Sequence, residues 1–283
     1  METLPRLELG CETPYLDGCP IQAPNGLSLY MASTRPGGMG GIDIWVATRP
    51  SADVGFGTPQ NLGSPVNSAA DDFCPTALPG GRLFFVSSRG GGCGGPDMYV
   101  TKRDRTGVWR QPSNLGCLVN SAAGEASPSL VDEDGTDVLY FSSTRAGGFA
   151  PETTGPADSD IYRSVIQADG TFGPASLVPG VNTSFQDARP NVRKDSLEMV
   201  FDSNRPGTLG GPDIYSAARS SVSDGWSAPT HLSTISSASS DTRASLSWDG
   251  QMLLFGSNRG GSEPDPVTGA PSNDIYFSTR TRR

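Results

Sequence analysis

Five carboxylates recur at one register of this chain: Asp17, Asp72, Glu125, Asp187 and Asp241. Two residues after each stands a landmark position that reads Cys19, Cys74, Ser127, Arg189 and Arg243, and two further on come Ile21, Thr76, Ser129, Asn191 and Ser245. Carboxylates brought to one axis repel one another and raise some of their pKa values. A cation with oxygen ligands, with Ca²⁺ the candidate cofactor, or the guanidinium groups of Arg189 and Arg243 would offset that repulsion. The competing reading is structural, each carboxylate capping backbone N–H groups of a local loop. Residues that break a repeated pattern are better functional candidates than those that keep it. The expected ligand-binding set is therefore Asp17, Asp72, Glu125, Asp187 and Asp241 with Arg189, Arg243, Cys19 and Cys74, and a metal is expected at the five carboxylates.

A second pairing of charges accompanies the first. Arg35, Arg89 and Arg205 precede Asp43, Asp97 and Asp213 by 8 residues (43 − 35, 97 − 89, 213 − 205), across a glycine-rich loop. Arg145 and Arg259 precede Asp160 and Asp274 by 15 (160 − 145, 274 − 259). An Arg–Asp bridge across the base of the turn is the expected role, a structural one. The longer loops, 146–159 and 260–273, carry Glu152, Asp158, Glu263 and Asp265 and are expected to wall a cleft, since binding residues concentrate on variable loops over a rigid scaffold.

The remaining chemistry is narrow. His231 is the only histidine, which excludes a three-histidine zinc site and disfavours a Ser-His-Asp triad. The five cysteines (11, 19, 74, 93 and 117) contain no CxxC. Cys19 and Cys74, equivalent in adjacent units, could form a disulfide, hold a soft metal or be buried thiols, and Cys11 could instead pair with Cys19.

The elements that position these residues follow from the spacing of the landmark arginines. Arg35, Arg89, Arg145, Arg205 and Arg259 lie 54, 56, 60 and 54 residues apart (89 − 35, 145 − 89, 205 − 145, 259 − 205), the mark of a repeat architecture. Each unit has a first strand with a proline near its start, an apolar second strand (Leu83-Phe-Phe-Val-Ser87), the glycine loop, an Asp-Ile-Tyr strand, and a Pro-x-x-Leu strand (Pro59–Leu62). Short β-branched and aromatic strands separated by Gly and Pro, four to a unit, predict propeller blades. The fifth unit ends at Arg283 without its Pro-x-x-Leu strand. Leu4-Pro-Arg-Leu7 supplies one at the other end, since Leu7 precedes Asp17 as Leu62 precedes Asp72 (17 − 7 = 72 − 62 = 10). The expected fold is an all-β, five-bladed propeller spanning residues 1–283 as one domain, with residues 4–9 completing the last blade. Alternation along the first strand predicts that the carboxylates and landmark residues face a common channel.

The whole-chain totals set limits on partners. Net charge is −9, and 19 of the 21 basic residues are arginine, only Lys102 and Lys194 being lysine. An acidic chain is a poor match for nucleic-acid phosphates, and no apolar run is long enough to span a membrane. Met1-Glu-Thr-Leu-Pro lacks the basic start and apolar stretch of a secretion signal.

At this point the repeats resemble the WD40-like (PD40) propeller repeat of TolB-type bacterial proteins. The residues that carry the likeness are Leu139-Tyr-Phe-Ser-Ser-Thr-Arg145, Gly210-Gly-Pro-Asp-Ile-Tyr215 and the Val-Asn-Ser triplets at 66–68 and 119–121, over essentially the whole chain. The resemblance implies an exported, periplasmic or secreted protein, with the cytoplasm as the alternative. It also implies a binding role, so the first functional reading is a monomeric binding module for a small molecule, glycan or peptide at the channel mouth. The alternative is a carboxylate-dependent enzyme, Ca²⁺-assisted or not, on a carbohydrate-like substrate. The third reading is an interaction platform for a basic protein partner.

Overall fold

A computed structural model describes residues 14–149, 159–260, 264–266 and 272–280. Its strands fall into five antiparallel sheets arranged as a ring. Blade 1 is β1 (Asp17–Gln22), β2 (Ser28–Ser33), β3 (Asp43–Thr48) and β4 (Gln60–Asn61). Blade 2 is β5 (Asp72–Leu78), β6 (Arg82–Ser87), β7 (Asp97–Lys102) and β8 (Ser113–Asn114). Blade 3 is β9 (Glu125–Glu133), β10 (Thr136–Ser143), β11 (Asp160–Val165) and β12 (Ser176–Leu177). Blade 4 is β13 (Asp187–Val192), β14 (Glu198–Ser203), β15 (Asp213–Ala218) and β16 (Thr230–His231). Blade 5 is β17 (Asp241–Leu246), β18 (Met252–Ser257) and β19 (Asp274–Thr279), with three strands among the described residues. The five-bladed propeller expected from the 54–60 residue period is the fold. The strand expected from residues 4–9, and Cys11, lie outside the described residues.

The first strands touch in cyclic order, β1–β5–β9–β13–β17 and back to β1. Apolar residues of the middle strands meet those of the next blade, so the core is divided into five clusters, one at each blade interface. Tyr30, Ile44, Leu83 and Phe85 fill the first interface, and Met31, Trp45, Leu254 and Ile275 fill the one between blades 5 and 1. A propeller gains its stability by this serial burial, since no single blade covers both faces of its own sheet.

Backbone bonds repeat the closure. The first N–H of each inner strand is given to a carbonyl of the preceding blade: Asp72 to Ile42, Glu125 to Pro96, Asp187 to Ser159, Asp241 to Pro212, and Asp17 to Asn273, at 2.8–2.9 Å. Side chains of the inner strands add a second set. Thr76 Oγ1 donates to the Pro128 carbonyl, and Val192 N–H donates to Ser129 Oγ at 3.0 Å. Leu246 N–H donates to Asn191 Oδ1 at 2.9 Å, and Ser245 Oγ donates to the Pro20 carbonyl at 2.5 Å across the seam. The polar column read from the sequence at Thr76, Ser129, Asn191 and Ser245 therefore laces neighbouring blades together.

Candidate functional site: the channel mouth

Every inner strand carries one extra residue near its start. On β1, Asp17 pairs with Ser33 and Ile21 pairs with Tyr30, so four steps on β1 answer three on β2. The same slip occurs in the other four blades. The residue at the slip has a left-handed backbone in each case: Cys19, Cys74, Ser127, Arg189 and Arg243 have φ of 48°, 46°, 52°, 57° and 57°. Such conformations are uncommon for residues with a Cβ and mark a β-bulge. In four blades the next residue is proline (Pro20, Pro75, Pro128 and Pro190), which an inner strand tolerates at a bulge.

The bulge inverts the face pattern, and this corrects the expectation for the carboxylates. Because a single extra residue exchanges the two faces of a strand, Asp17 does not share a face with Ile21. Asp17, Asp72, Glu125, Asp187 and Asp241 are absent from the channel lining and are buried between strand and loop. Each pairs with the landmark arginine of its own blade: Arg35–Asp17 at 2.6 Å, Arg89–Asp72 at 2.7 Å, Arg145–Glu125 at 3.1 Å, Arg259–Asp241 at 2.5 Å, and Arg205 with Asp187.

In blades 2 to 5 the same carboxylate accepts an N–H and a hydroxyl from the loop before it, from Ser68, Ser121, Thr183 and Ser237. The arginine also takes up the serine at the end of the second strand and, from Arg89 to Arg259, a carbonyl of that same loop. These are latches, and their oxygens are committed to protein donors. Among the described residues no group of three His, Cys, Asp or Glu side chains is placed to hold a metal ion, so the expected metal set is not assembled.

The Arg–Asp bridge expected across the glycine loop is likewise replaced. The arginine turns back to the first strand, and the aspartate caps the loop. Asp43 accepts Met39 N–H at 2.5 Å, Asp97 accepts Cys93 N–H at 2.5 Å, Asp160 accepts Phe149 N–H at 2.7 Å, and Asp213 accepts Leu209 N–H at 2.7 Å. His231 sits beside the last of these, its Nε2 2.9 Å from Asp213 Oδ2 and its ring stacked on Tyr215. Burial raises the Asp213 carboxyl above the usual carboxylate value. The long loops 146–159 and 260–273 fall largely outside the described residues, and with them Glu152, Asp158 and Glu263.

What does face the channel is the landmark column. Cys19, Cys74, Ser127, Arg189 and Arg243, with the residues after them, line a shallow depression of about 30 Å³ at the axis. Cys19 and Cys74 form a disulfide between blades 1 and 2, and Ser127 Oγ donates to Cys74 Sγ at 3.4 Å. A second disulfide, Cys93–Cys117, ties the blade 2 glycine loop to the next interblade loop. The opposite side of the mouth is cationic. Arg189 Nη1 donates to Asp202 Oδ2 at 2.5 Å, and the backbone N–H of Arg243 donates to Asp202 Oδ1 at 2.9 Å.

Asp202 has no solvent exposure, and burial raises its carboxyl, opposed first by Arg189. Burial, then Arg189, push the Arg243 guanidinium down to about 10, opposed by Asp202, and at neutral pH it stays charged. Two cations and one anion leave a net positive mouth (2 − 1 = +1) in an acidic protein. Asp202 is the site residue the sequence reading missed. The signal is its place in the apolar second strand, where the other blades have Ala32, Val86, Ser142 and Gly256.

No family model matches the chain, and no curated protein matches it. Solved structures do. A thermostable family-43 glycoside hydrolase superposes with a TM-score of 0.61 at 14% identity, covering 95% of this chain and 91% of that one. An α-L-arabinofuranosidase from Lactobacillus brevis gives 0.59 at 13%, covering 94% and 92%. A TolB-like protein from Agrobacterium tumefaciens gives 0.54 at 15%, covering 95% and 91%. At these identities the likeness establishes the fold. Among the described residues no helix is long and apolar enough to cross a membrane.

Proposed function

We propose that the protein is a carbohydrate-binding propeller whose ligand enters the channel mouth. The observation that carries this reading is the division of labour among the acids. All five repeated carboxylates are consumed in latches, while the mouth presents the residues that break the repeat, Cys19–Cys74, Arg189 and Arg243, with Asp202 buried behind the two arginines. Strained left-handed residues with side chains at one opening are a pattern that marks sites of function. The carbohydrate class rests on the structural relatives, glycoside hydrolases of the same ring architecture, by analogy of fold. Two disulfides fit an oxidising compartment, so the protein works in the periplasm or outside the cell. We also place it with the PD40 repeats, on the motif residues and the TolB-like relative.

The relatives themselves favour a second reading, the carboxylate-dependent glycosidase. Hydrolysis of a glycosidic bond uses a pair of carboxyl groups flanking it. Asp202, with its raised pKa, is among the described residues the one carboxyl engaged with Arg189 and Arg243, and loop acids such as Glu152 and Glu263 would have to supply the other. Incubation with arabinan and xylan, followed by reducing-sugar detection, separates the readings. The binding reading expects no release above buffer alongside measurable oligosaccharide binding. Release that Asp202→Asn abolishes would overturn it in favour of the hydrolase.

A further inference from the structure

Arg189 and Arg243 occupy the same register in neighbouring blades, yet among the described residues only Arg189 has a carboxylate hydrogen-bonded to its guanidinium. Ala188 pairs with Asp202 across β13 and β14, and Thr242 pairs with Gly256 across β17 and β18. The blade 4 arginine thus meets a carboxylate 13 residues on (202 − 189), whereas the blade 5 arginine meets a glycine at the same interval (256 − 243 = 13). Both Asp202 oxygens are already taken, one by Arg189 Nη1 and the other by the Arg243 backbone N–H. Arg243 Nε is buried with no hydrogen-bond partner among the described residues.

Two glycines make room for this guanidinium. A Cβ on Gly18 would lie 3.2 Å from Arg243 Nη1, and the other blades have Phe73, Ala126, Ala188 and Thr242 at that register. Gly256 approaches Gly18 from the other side, a Cβ on it lying 3.9 Å from the Gly18 Cα. Gly18 and Gly256 together clear a slot at the seam between blades 5 and 1 into which Arg243 extends. Asp202 acts on this guanidinium through space without a hydrogen bond to it, and an anion bonded directly to the fork would offset the remaining cost of its burial. Its planar fork matches a carboxylate in bidentate fashion, and the net charge of +1 at the mouth fits a monoanion.

We propose that Arg243, with Arg189 beside it, holds the carboxylate of an acidic sugar, a uronic acid unit of the glycan, at the channel mouth. This deepens the carbohydrate reading and rests on it. The test is isothermal titration of the full chain with trigalacturonate, with neutral galactotriose, and with sodium acetate. Trigalacturonate is expected to bind at least about tenfold tighter than galactotriose, a difference of about 1.4 kcal/mol.

Arg243→Gln should erase that preference. Gly256→Asp should erase it too, because it sets a carboxylate against Arg243 where Asp202 sits against Arg189. A Cβ at this position meets nothing closer than 3.7 Å, so the backbone here takes a side chain without a clash at its first atom. Equal affinity for the acidic and neutral trisaccharides, or a preference that survives both substitutions, would overturn the proposal. Acetate binding as tightly as trigalacturonate would instead remove the carbohydrate reading while leaving the anion at Arg243.

Discussion

Asp187→Asn isolates one latch and tests whether the repeated acids hold the fold. Asp187 is 0% exposed. It accepts Arg205 Nη2, Thr183 N–H at 2.6 Å and Thr183 Oγ1 at 2.7 Å. The amide keeps the shape and one acceptor but leaves Arg205 buried without its anion. Breaking a buried ion pair from one side costs about 3–5 kcal/mol. At this chain length about 2 °C of melting temperature is lost per kcal/mol, so a fall of about 6–10 °C is expected. Differential scanning calorimetry of the wild type, Asp187→Asn, Arg205→Met and the double variant supplies the cycle. The double variant should melt well above the sum of the two single effects, since removing both charges removes the orphan. A melting point within about 2 °C of wild type for Asp187→Asn, or strictly additive losses, would refute the latch.

Other expectations follow from the same geometry. Gly210→Ala should lower stability by about 2 kcal/mol or more in chemical denaturation, because a Cβ there would stand 2.2 Å from the Ala238 carbonyl oxygen. Replacing Cys19 and Cys74 together by serine should cost about 2–4 kcal/mol, from the chain entropy released by opening a loop of 55 residues in the unfolded state. Unchanged denaturation midpoints would count against either. Asp202 titrates above its unfolded value, so the folded state binds its proton more tightly. Its contribution makes stability fall as pH rises from the ordinary aspartate range through that raised value, and Asp202→Asn should flatten that slope in pH-dependent melting curves. A slope that the substitution leaves unchanged would assign it to another group.

The five blades were legible because a propeller repeats its covalent pattern. The arginine spacing, the Asp-Ile-Tyr strands and the apolar second strands each mark one blade. The facing of the inner strands was misread for one reason, strict alternation carried through a bulge. Pro20, Pro75, Pro128 and Pro190 already signalled that bulge, as a proline inside an inner strand does. Once the extra residue is counted, the acids turn away from the axis and the column of Cys19, Cys74, Arg189 and Arg243 stays on it. Asp202 was hidden because its partners lie 13 and 41 residues away (202 − 189, 243 − 202), one across the β13–β14 hairpin and one on the first strand of the next blade. The Arg35–Asp17 type of latch spans 18 residues (35 − 17) and loses in sequence to the nearer, more conspicuous Arg35–Asp43 spacing.

One titration puts the account most directly at risk: trigalacturonate binding to wild type, to Asp187→Asn and to Arg189→Gln/Arg243→Gln, below the melting point of each. The account predicts that Asp187→Asn binds like wild type despite its lost stability, and that the double arginine variant does not bind. Loss of binding in Asp187→Asn with full binding in the arginine variant would contradict it.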